Sequence, residues 1–196
     1  MNGLPSDAPF PPGDLRSIVF HWTAGDYRSL FASYHVCVAL GESEEGPLAV
    51  LTSDLRANMR DVHHGDAAYA AHTSGRNSHA IGLALCGMEN ATPSDFGLYP
   101  VREDFIAVAC RTAARLCRAY AIPVDRAHVY THAEAALEDG YFGCAEDQRW
   151  DIARLTPSPG PLQPSDAPHA GDELRRRVRE AMKDCPPARE VRGNVG

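Results

Sequence analysis

The sequence predicts an α/β fold in which a central mixed β-sheet is flanked by helices. Short apolar runs rich in β-branched residues, typical of buried strands, alternate along the chain with longer stretches of helical periodicity. No internal repeat interrupts this order, and a chain of 196 residues is long enough for one domain with a substantial core. We therefore expect a single domain over residues 1–196, with its core at about residues 15–156.

The elements of the first half follow from local patterns. Residues 15–22 (LRSIVFHW) are a compact apolar run and predict a buried strand. Residues 23–34 open with a helix-start signal and carry small and apolar residues at helical spacing, which predicts a helix. Residues 34–40 and 47–53 flank the acidic, Gly-containing GESEEG and predict a β-hairpin. Residues 79–87 (HAIGLALCG) predict another central strand.

The second half contains the clearest amphipathic helix, over residues 103–122, which opens on acidic residues and ends before Pro123. The later segments are predicted, in order, as a strand (127–134), a long loop (136–148), a short helix or turn (150–155), a Pro-rich linker (156–170), a C-terminal helix (171–184) and a disordered tail (185–196).

Composition excludes several classes of partner. A formal net charge of −7 disfavours nucleic acid, because phosphate binding needs clustered Lys and Arg, and the short basic run ELRRRVRE is interpreted as a solvated helix face. No apolar run approaches the ~20 residues that span a bilayer, so no stable membrane insertion is expected. The N-terminus lacks the features of a secretory signal, which predicts synthesis in the cytoplasm and cysteines that remain thiols.

Three residues from distant segments form a zinc-type set: His21 and His132, each closing a predicted strand, and Asp151. Two imidazoles and one carboxylate can bind Zn²⁺ and leave a fourth position for water, the arrangement found in hydrolytic zinc sites. The set predicts an enzyme that cleaves an amide bond.

Five motifs carry a more specific signal in their order and spacing: FHWTAG, SYHVCVAL, AAHTSGRNSHAIGLALCG, THAE and RWDIARL. Over residues 17–155 the chain resembles the zinc-dependent N-acetylmuramoyl-L-alanine amidases, which include phage T7 lysozyme and peptidoglycan recognition proteins. The resemblance implies zinc in a groove on one face of the sheet. It also implies hydrolysis of the amide between N-acetylmuramic acid and L-alanine in peptidoglycan.

The resemblance assigns ligands residue by residue. His21 matches the first zinc ligand of the family and His132 the second. The third ligand in the family is Asp or Cys, two residues after a Lys, and Asp151 fits that pattern with Arg149 in place of the Lys. Cys144 is the alternative third ligand, because a thiolate binds zinc well and lies in the same loop.

Catalytic roles are implied in the same way. Tyr34 matches a tyrosine that borders the zinc in phage-type members, although it could be an ordinary strand aromatic. Arg149 replaces a lysine that stabilises the oxyanion, and its role would be electrostatic only. Glu134 is a candidate general base, because strand alternation would place it on the same face as His132. Ala84 stands where the muropeptide-recycling branch usually carries a glutamate base.

Substrate contacts are expected from His72 and Asn77, which match a groove segment of the family but could equally serve a structural role in their loop. Trp22 is a candidate sugar contact beside the zinc strand. The expected partner is peptidoglycan or its muropeptides, bound by a monomer. A prophage endolysin that reaches the wall after holin-type release is the favoured setting. The alternatives are a cytosolic muropeptide-recycling amidase and a non-catalytic peptidoglycan-binding module.

Overall fold

A computed structural model describes residues 4, 9–41 and 46–184. Its centre is a five-stranded sheet in the order β3-β2-β4-β1-β5. The strands are β1 (Ser17–Trp22), β2 (Val36–Leu40), β3 (Pro47–Leu51), β4 (Ala80–Leu85) and β5 (Val129–Thr131). Strands β2 and β3 are antiparallel, whereas β1 runs parallel to β4 and β5, and β2 runs parallel to β4. The predicted mixed sheet is confirmed.

Helices cover this sheet. They are α1 (Glu103–Tyr120), α2 (His132–Asp139) and α3 (Asp166–Asp184), together with a short 3₁₀ helix at Leu55–Asn58. Helix α1 packs against α3 and against the strands β2, β3 and β4, and α3 also packs against β5 and α2. In the part of the chain that the structure describes, none of the helices combines the length and the hydrophobicity that a membrane span requires.

The parallel strands determine where the site lies. All six residues of β4 are buried, as expected of a central strand with both faces covered. Strand β1 pairs with β4 along its whole length and with β5 on its other side, where Phe20 is opposite Thr131. Because parallel neighbours end at the same edge of a sheet, His21 near the end of β1 lies beside His132, which directly follows β5.

The helix predicted over residues 23–34 is wrong. This segment is a series of turns, with Ala24 in the left-handed region at a φ of 53°. The Asp26 carboxylate accepts hydrogen bonds from the Arg28 backbone N–H and the Ser29 hydroxyl, each at 2.8 Å. Aspartate often forms such local bonds in competition with helical ones, and here the local bonds prevail.

The strand predicted over residues 127–134 is also partly wrong, because it ends at Thr131 and α2 begins at His132. Thr131 and Glu134 form a capping box, in which each side chain accepts a hydrogen bond from the other residue's backbone N–H. The T-x-x-E spacing of this box was visible in the sequence. Because α2 continues to Asp139, the following loop is shorter than predicted.

The C-terminal helix begins at Asp166 rather than at residue 171, so the predicted linker is shorter. Pro168 lies in the first turn of α3, where a missing backbone N–H breaks no helical bond. Within the basic run, Arg175 is only 2% exposed, so the interpretation as a solvated face is wrong for this residue. The hairpin turn predicted at 42–45 and the disordered tail predicted at 185–196 lie outside the described residues. The five described cysteines are free thiols.

We expect Leu83→Ala to lower the free energy of unfolding by about 2–5 kcal/mol, because it removes buried methyl groups from the central strand and leaves a cavity. Leu83 is fully buried, whereas Leu98, the matched control, is 86% exposed. Urea unfolding measures both variants. Equal, small effects of Leu83→Ala and Leu98→Ala would contradict the description of β4 as the centre of the core.

Candidate metal centre

Three side chains converge at the edge of the sheet. The Asp151 Oδ2 atom lies 3.0 Å from His21 Nδ1 and 3.0 Å from His132 Nδ1. One possible ligand atom from each residue lies within 4.8 Å of the other two, and all three residues are buried. The structure therefore brings together the two histidines and the aspartate that the sequence singled out.

The donor set fits a zinc ion. Zinc binds imidazole nitrogen and carboxylate oxygen at about 2.0–2.2 Å in a tetrahedral arrangement, which places neighbouring ligand atoms about 3.3 Å apart. The two 3.0 Å separations around Asp151 are close to that spacing. Small adjustments of the side chains would accommodate the ion, so the geometry is that of a site able to hold a metal.

Backbone contacts hold the three residues in place. His21 is fixed by the parallel pairing of β1 with β4, and His132 by the capping box at the start of α2. Asp151 lies in a turn between α2 and α3. The backbone carbonyl of Asp151 accepts a hydrogen bond at 3.1 Å from the N–H of Ala133, in the first turn of α2. The turn and the helix that carries His132 are thus joined directly.

Burial, charge and hydrogen bonding together set the protonation states of His21 and Asp151. It lowers the pKa of His21 to about 4, against the opposing effect of the hydrogen bond with Asp151. Burial acts to raise the pKa of Asp151, but the charge of His132 and hydrogen bonds with His132 and His21 outweigh it and hold that pKa below its ordinary value. A neutral His21 and an ionised Asp151 are the forms in which these groups bind metals.

A second layer orients His21. The His21 Nε2 atom lies 3.3 Å from both His72 Nδ1 and the Thr73 hydroxyl oxygen, and these two atoms are 2.9 Å apart. Contacts of this kind fix the orientation and tautomer of a ligand imidazole. Sequence reasoning identified His72 but missed Thr73, which carried no signal except its position next to His72.

The loop that supplies His72 is organised by Asn77, whose side-chain oxygen accepts hydrogen bonds from the backbone N–H groups of His72 and Thr73, both at 3.0 Å. The loop also depends on Gly82 in β4, because a Cβ there would lie 2.6 Å from the His72 ring. These contacts give His72 and Asn77 structural roles beside any contact that they make with substrate.

A cleft of about 540 Å³ opens beside His132, one of the three residues. Its walls include His64, Tyr69, His72, Asn77, His132, Tyr141 and Arg149. Arg149 is exposed, and its guanidinium donates to the carbonyls of Glu146 and Gln148 in its own loop. Tyr141, which sequence reasoning missed, lies with its ring centroid 6.0 Å from that of His132. The cleft is large enough for a substrate segment, and it borders the candidate ligand His132 directly.

Tyr34 also lies beside His21, with their ring centroids 5.0 Å apart. Its hydroxyl donates to the Trp22 carbonyl at 3.3 Å. Burial, and secondarily the charge of Asp151, raises the pKa of Tyr34 above its ordinary value. The phenol is therefore protonated near neutral pH and is a hydrogen-bond donor next to a candidate ligand.

Glu134 and Cys144 lie apart from this group. The expectation that Glu134 shares a strand face with His132 fails because both residues are in a helix, and the Glu134 carboxylate is bound by Thr131 and Arg175. Cys144 is exposed and does not belong to the cluster of His21, His132 and Asp151.

Trp22 is buried, so its ring is not available for the expected contact with a sugar. The residue is 6% exposed, and its ring packs against Trp150 at a centroid distance of 4.7 Å and against Phe96 at 6.1 Å. The expected sugar contact is therefore replaced by packing within an aromatic cluster.

His35 is buried next to this second layer. Its Nδ1 atom accepts a hydrogen bond from the Gly82 backbone N–H at 3.0 Å, and its ring centroid lies 5.7 Å from that of His72. Burial lowers the pKa of His35 to about 4. The folded state therefore favours a neutral imidazole at this position.

Comparison with known proteins identifies one family. The family model for N-acetylmuramoyl-L-alanine amidases matches residues 11–161. No curated protein matches the chain. Among solved structures, the complex of AmiD from E. coli with anhydro-N-acetylmuramic acid-L-Ala-D-gamma-Glu-L-Lys is 18% identical, with a TM-score of 0.41, over 65% of this chain and 51% of the AmiD chain. A mutant of PlyL is 13% identical, with a TM-score of 0.40, over 88% of this chain and 87% of its own. The match thus spans about half of AmiD.

We expect the stability of the metal-free protein to fall as the pH falls from 6.5 towards 4. The unfolded chain binds a proton at His35 near its ordinary pKa of 6.5, and the folded protein only near 4, so the unfolded state binds more protons between these values. His35 contributes about 3 kcal/mol to the free energy of unfolding, and this contribution is fully present above pH 6.5.

The measurement is urea unfolding from pH 4 to pH 7.5, with a chelator present throughout. Because glutamine at position 35 has no titratable group, the unfolding free energy of His35→Gln should fall less steeply than that of the wild-type protein. Parallel curves for the two proteins would contradict the burial of a neutral His35.

Proposed function

Because the chain belongs to the N-acetylmuramoyl-L-alanine amidase family, we propose that it hydrolyses the amide bond between N-acetylmuramic acid and L-alanine in peptidoglycan, with zinc bound by His21, His132 and Asp151. The observation that carries this proposal is the buried cluster of two imidazoles and one carboxylate beside an open cleft. Its donor chemistry suits zinc, with room for a further ligand.

Zinc at these residues supplies Lewis-acid activation of water and of the scissile carbonyl. The protein residues supply the remaining electrostatics. When substrate binds, the protonated phenol of Tyr34 turns its hydroxyl away from the Trp22 carbonyl and donates to the oxygen that gains charge as the carbonyl carbon becomes tetrahedral. Arg149 at the cleft wall adds a positive charge that stays fixed because a guanidinium does not release its proton near neutral pH. His72 and Thr73 keep the His21 ring in its orientation.

The same geometry supports catalysis over simple binding of peptidoglycan. A binding module needs a cleft but has no need of a complete set of metal donors. Here the third donor, Asp151, is buried and lies 3.0 Å from a nitrogen of each histidine. A buried carboxylate held between two imidazoles is costly to maintain unless it has a role.

We further propose that the substrate is the polymeric wall, as for a phage-type endolysin, rather than soluble muropeptides. In register with His21, β4 carries the fully buried Ala84, where the recycling branch usually has a glutamate base. Tyr34 beside His21 is the feature shared with the phage-type branch. Comparing rates on sacculi and on soluble muropeptides tests this choice, and a strong preference for soluble muropeptides would contradict it.

Digestion of purified sacculi tests the activity. We expect mass spectrometry to detect stem peptides with a free L-alanine amino group and glycan strands with free lactyl carboxylates. A chelator should abolish their release, and added zinc should restore it. Release that is insensitive to the chelator would contradict a zinc-dependent reaction, and binding to sacculi without any release would favour a binding module.

We expect Asp151→Asn to lose tight zinc binding and to reduce release at least about 100-fold, because an amide is a poor zinc ligand and carries no charge. Cys144→Ser is the matched control, since it removes the exposed thiol of the alternative ligand from the same loop. Zinc content by mass spectrometry and initial rates measure both variants. Loss of zinc in Cys144→Ser and its retention in Asp151→Asn would reverse the assignment.

We expect Tyr34→Phe to lower kcat by about 100-fold while leaving zinc content and KM close to the wild-type values, because loss of an oxyanion donor acts mainly on the transition state. Tyr99→Phe, outside the cleft, is the control and should be nearly neutral. A Tyr34→Phe variant with wild-type kcat would remove Tyr34 from the mechanism.

A further inference from the structure

Helix α3 lies beyond the region that the family model matches, since the match ends at residue 161 and the helix begins at Asp166. Nevertheless, α3 supplies Arg175, a fully buried side chain with 2% exposure. A guanidinium buried to this degree requires partners that satisfy its charge and its N–H groups. The partners of Arg175 therefore indicate what the helix does.

Each of the two terminal nitrogens of the Arg175 guanidinium donates two hydrogen bonds. One terminal nitrogen donates to the Val129 carbonyl at 2.8 Å and to Glu134 Oε2 at 3.0 Å. The other donates to Glu134 Oε1 at 2.8 Å and to Asp172 Oδ1 at 2.9 Å. A two-pronged contact of this kind fixes the position and the plane of a carboxylate.

The carboxylate held by Arg175 is the one that closes the capping box of α2. Glu134 Oε2 accepts a hydrogen bond at 2.9 Å from the backbone N–H of Thr131, and the Thr131 hydroxyl accepts one at 3.1 Å from the Glu134 N–H. His132, whose Nδ1 atom faces Asp151, is the first helical residue within this box. Arg175 thus contacts the chain both before and after His132.

The backbone of α3 approaches the same carboxylate closely. A Cβ at Gly171 would lie 2.1 Å from Glu134 Oε2, so only glycine leaves room for the carboxylate in this position. Glu134 cannot swing away without breaking its bonds to Thr131 and Arg175. Gly171 therefore leaves room for the Glu134 carboxylate, and Arg175 binds that carboxylate in place.

We propose that Arg175 is a positioning residue: α3 holds Glu134, Glu134 fixes the first turn of α2, and that turn sets His132 against His21 and Asp151. The affinity of the centre for metal then depends on a helix that has no ligand of its own. This inference rests on the proposed metal-binding function. It adds that residues 166–184 belong to the metal-binding unit.

The test compares Arg175→Lys and Gly171→Ala with the wild-type protein. Lysine keeps the charge but cannot bridge the Val129 carbonyl and both oxygens of Glu134. Alanine at Gly171 favours the helix by propensity, so any loss of function there comes from its contact with Glu134. Arg176→Lys, at an exposed neighbouring arginine, and Val178→Ala, which removes buried apolar contacts on α3, are the matched controls.

Two quantities are measured on each full-length variant. The zinc dissociation constant is obtained by competition with a chromophoric chelator, and amide hydrogen exchange at Thr131 and Glu134 is followed in the metal-free protein. We expect the dissociation constant to rise about 10-fold or more in Arg175→Lys and Gly171→Ala, in the range found when partners of metal ligands are altered. Exchange at the two amides should quicken beyond the change caused by Val178→Ala. Both controls should bind zinc as the wild-type protein does.

Unchanged zinc affinity and unchanged local exchange in Arg175→Lys and Gly171→Ala, with zinc bound by the wild-type protein, would overturn this inference alone. A loss of affinity in Val178→Ala equal to that in Arg175→Lys would also overturn it, since general destabilisation would then explain the effect. A wild-type protein that binds no zinc would overturn the proposed function together with this inference.

Discussion

The arrangement of the site depends on the contacts of the Asp151 carboxylate with His21 and His132. The carboxylate is buried, and its stabilising partners are two imidazoles that arrive from different parts of the fold. A buried charge is tolerated only while such partners stay in place, so the end of β1, the first turn of α2 and the turn at residues 150–153 are mutually dependent. The backbone bond between Ala133 and Asp151 joins two of these three segments even without the side chains.

The sheet was largely predictable because its central strands are buried on both faces and therefore appear as nearly continuous apolar runs. The set of His21, His132 and Asp151 was also visible, since each lies in a motif whose order along the chain resembles one family. The errors arose where a polar side chain forms a local hydrogen bond that apolar periodicity does not register. Asp26 forms a turn in place of the expected helix, and Glu134 starts a helix in place of the expected strand end.

Other features depend on long-range contacts that no local pattern encodes. Nothing in the run ELRRRVRE distinguishes Arg175, which is buried against Glu134, from Arg176, which pairs on the surface with Glu173 and Glu180. The role of Trp22 was open for the same reason, because its partner Trp150 is far along the chain. The contact between the Thr73 hydroxyl and His21 depends on how the loop around Asn77 packs against β1, and the sequence alone does not show this packing.

The separation of 130 positions between His21 and Asp151 has a consequence for biosynthesis. Contacts between such distant residues form late, because the intervening chain must first be synthesised and collapse. A nascent polypeptide still attached to the ribosome holds His21 long before Asp151 emerges from the exit tunnel. The three candidate metal donors can therefore come together only after all five strands of the described sheet have been synthesised.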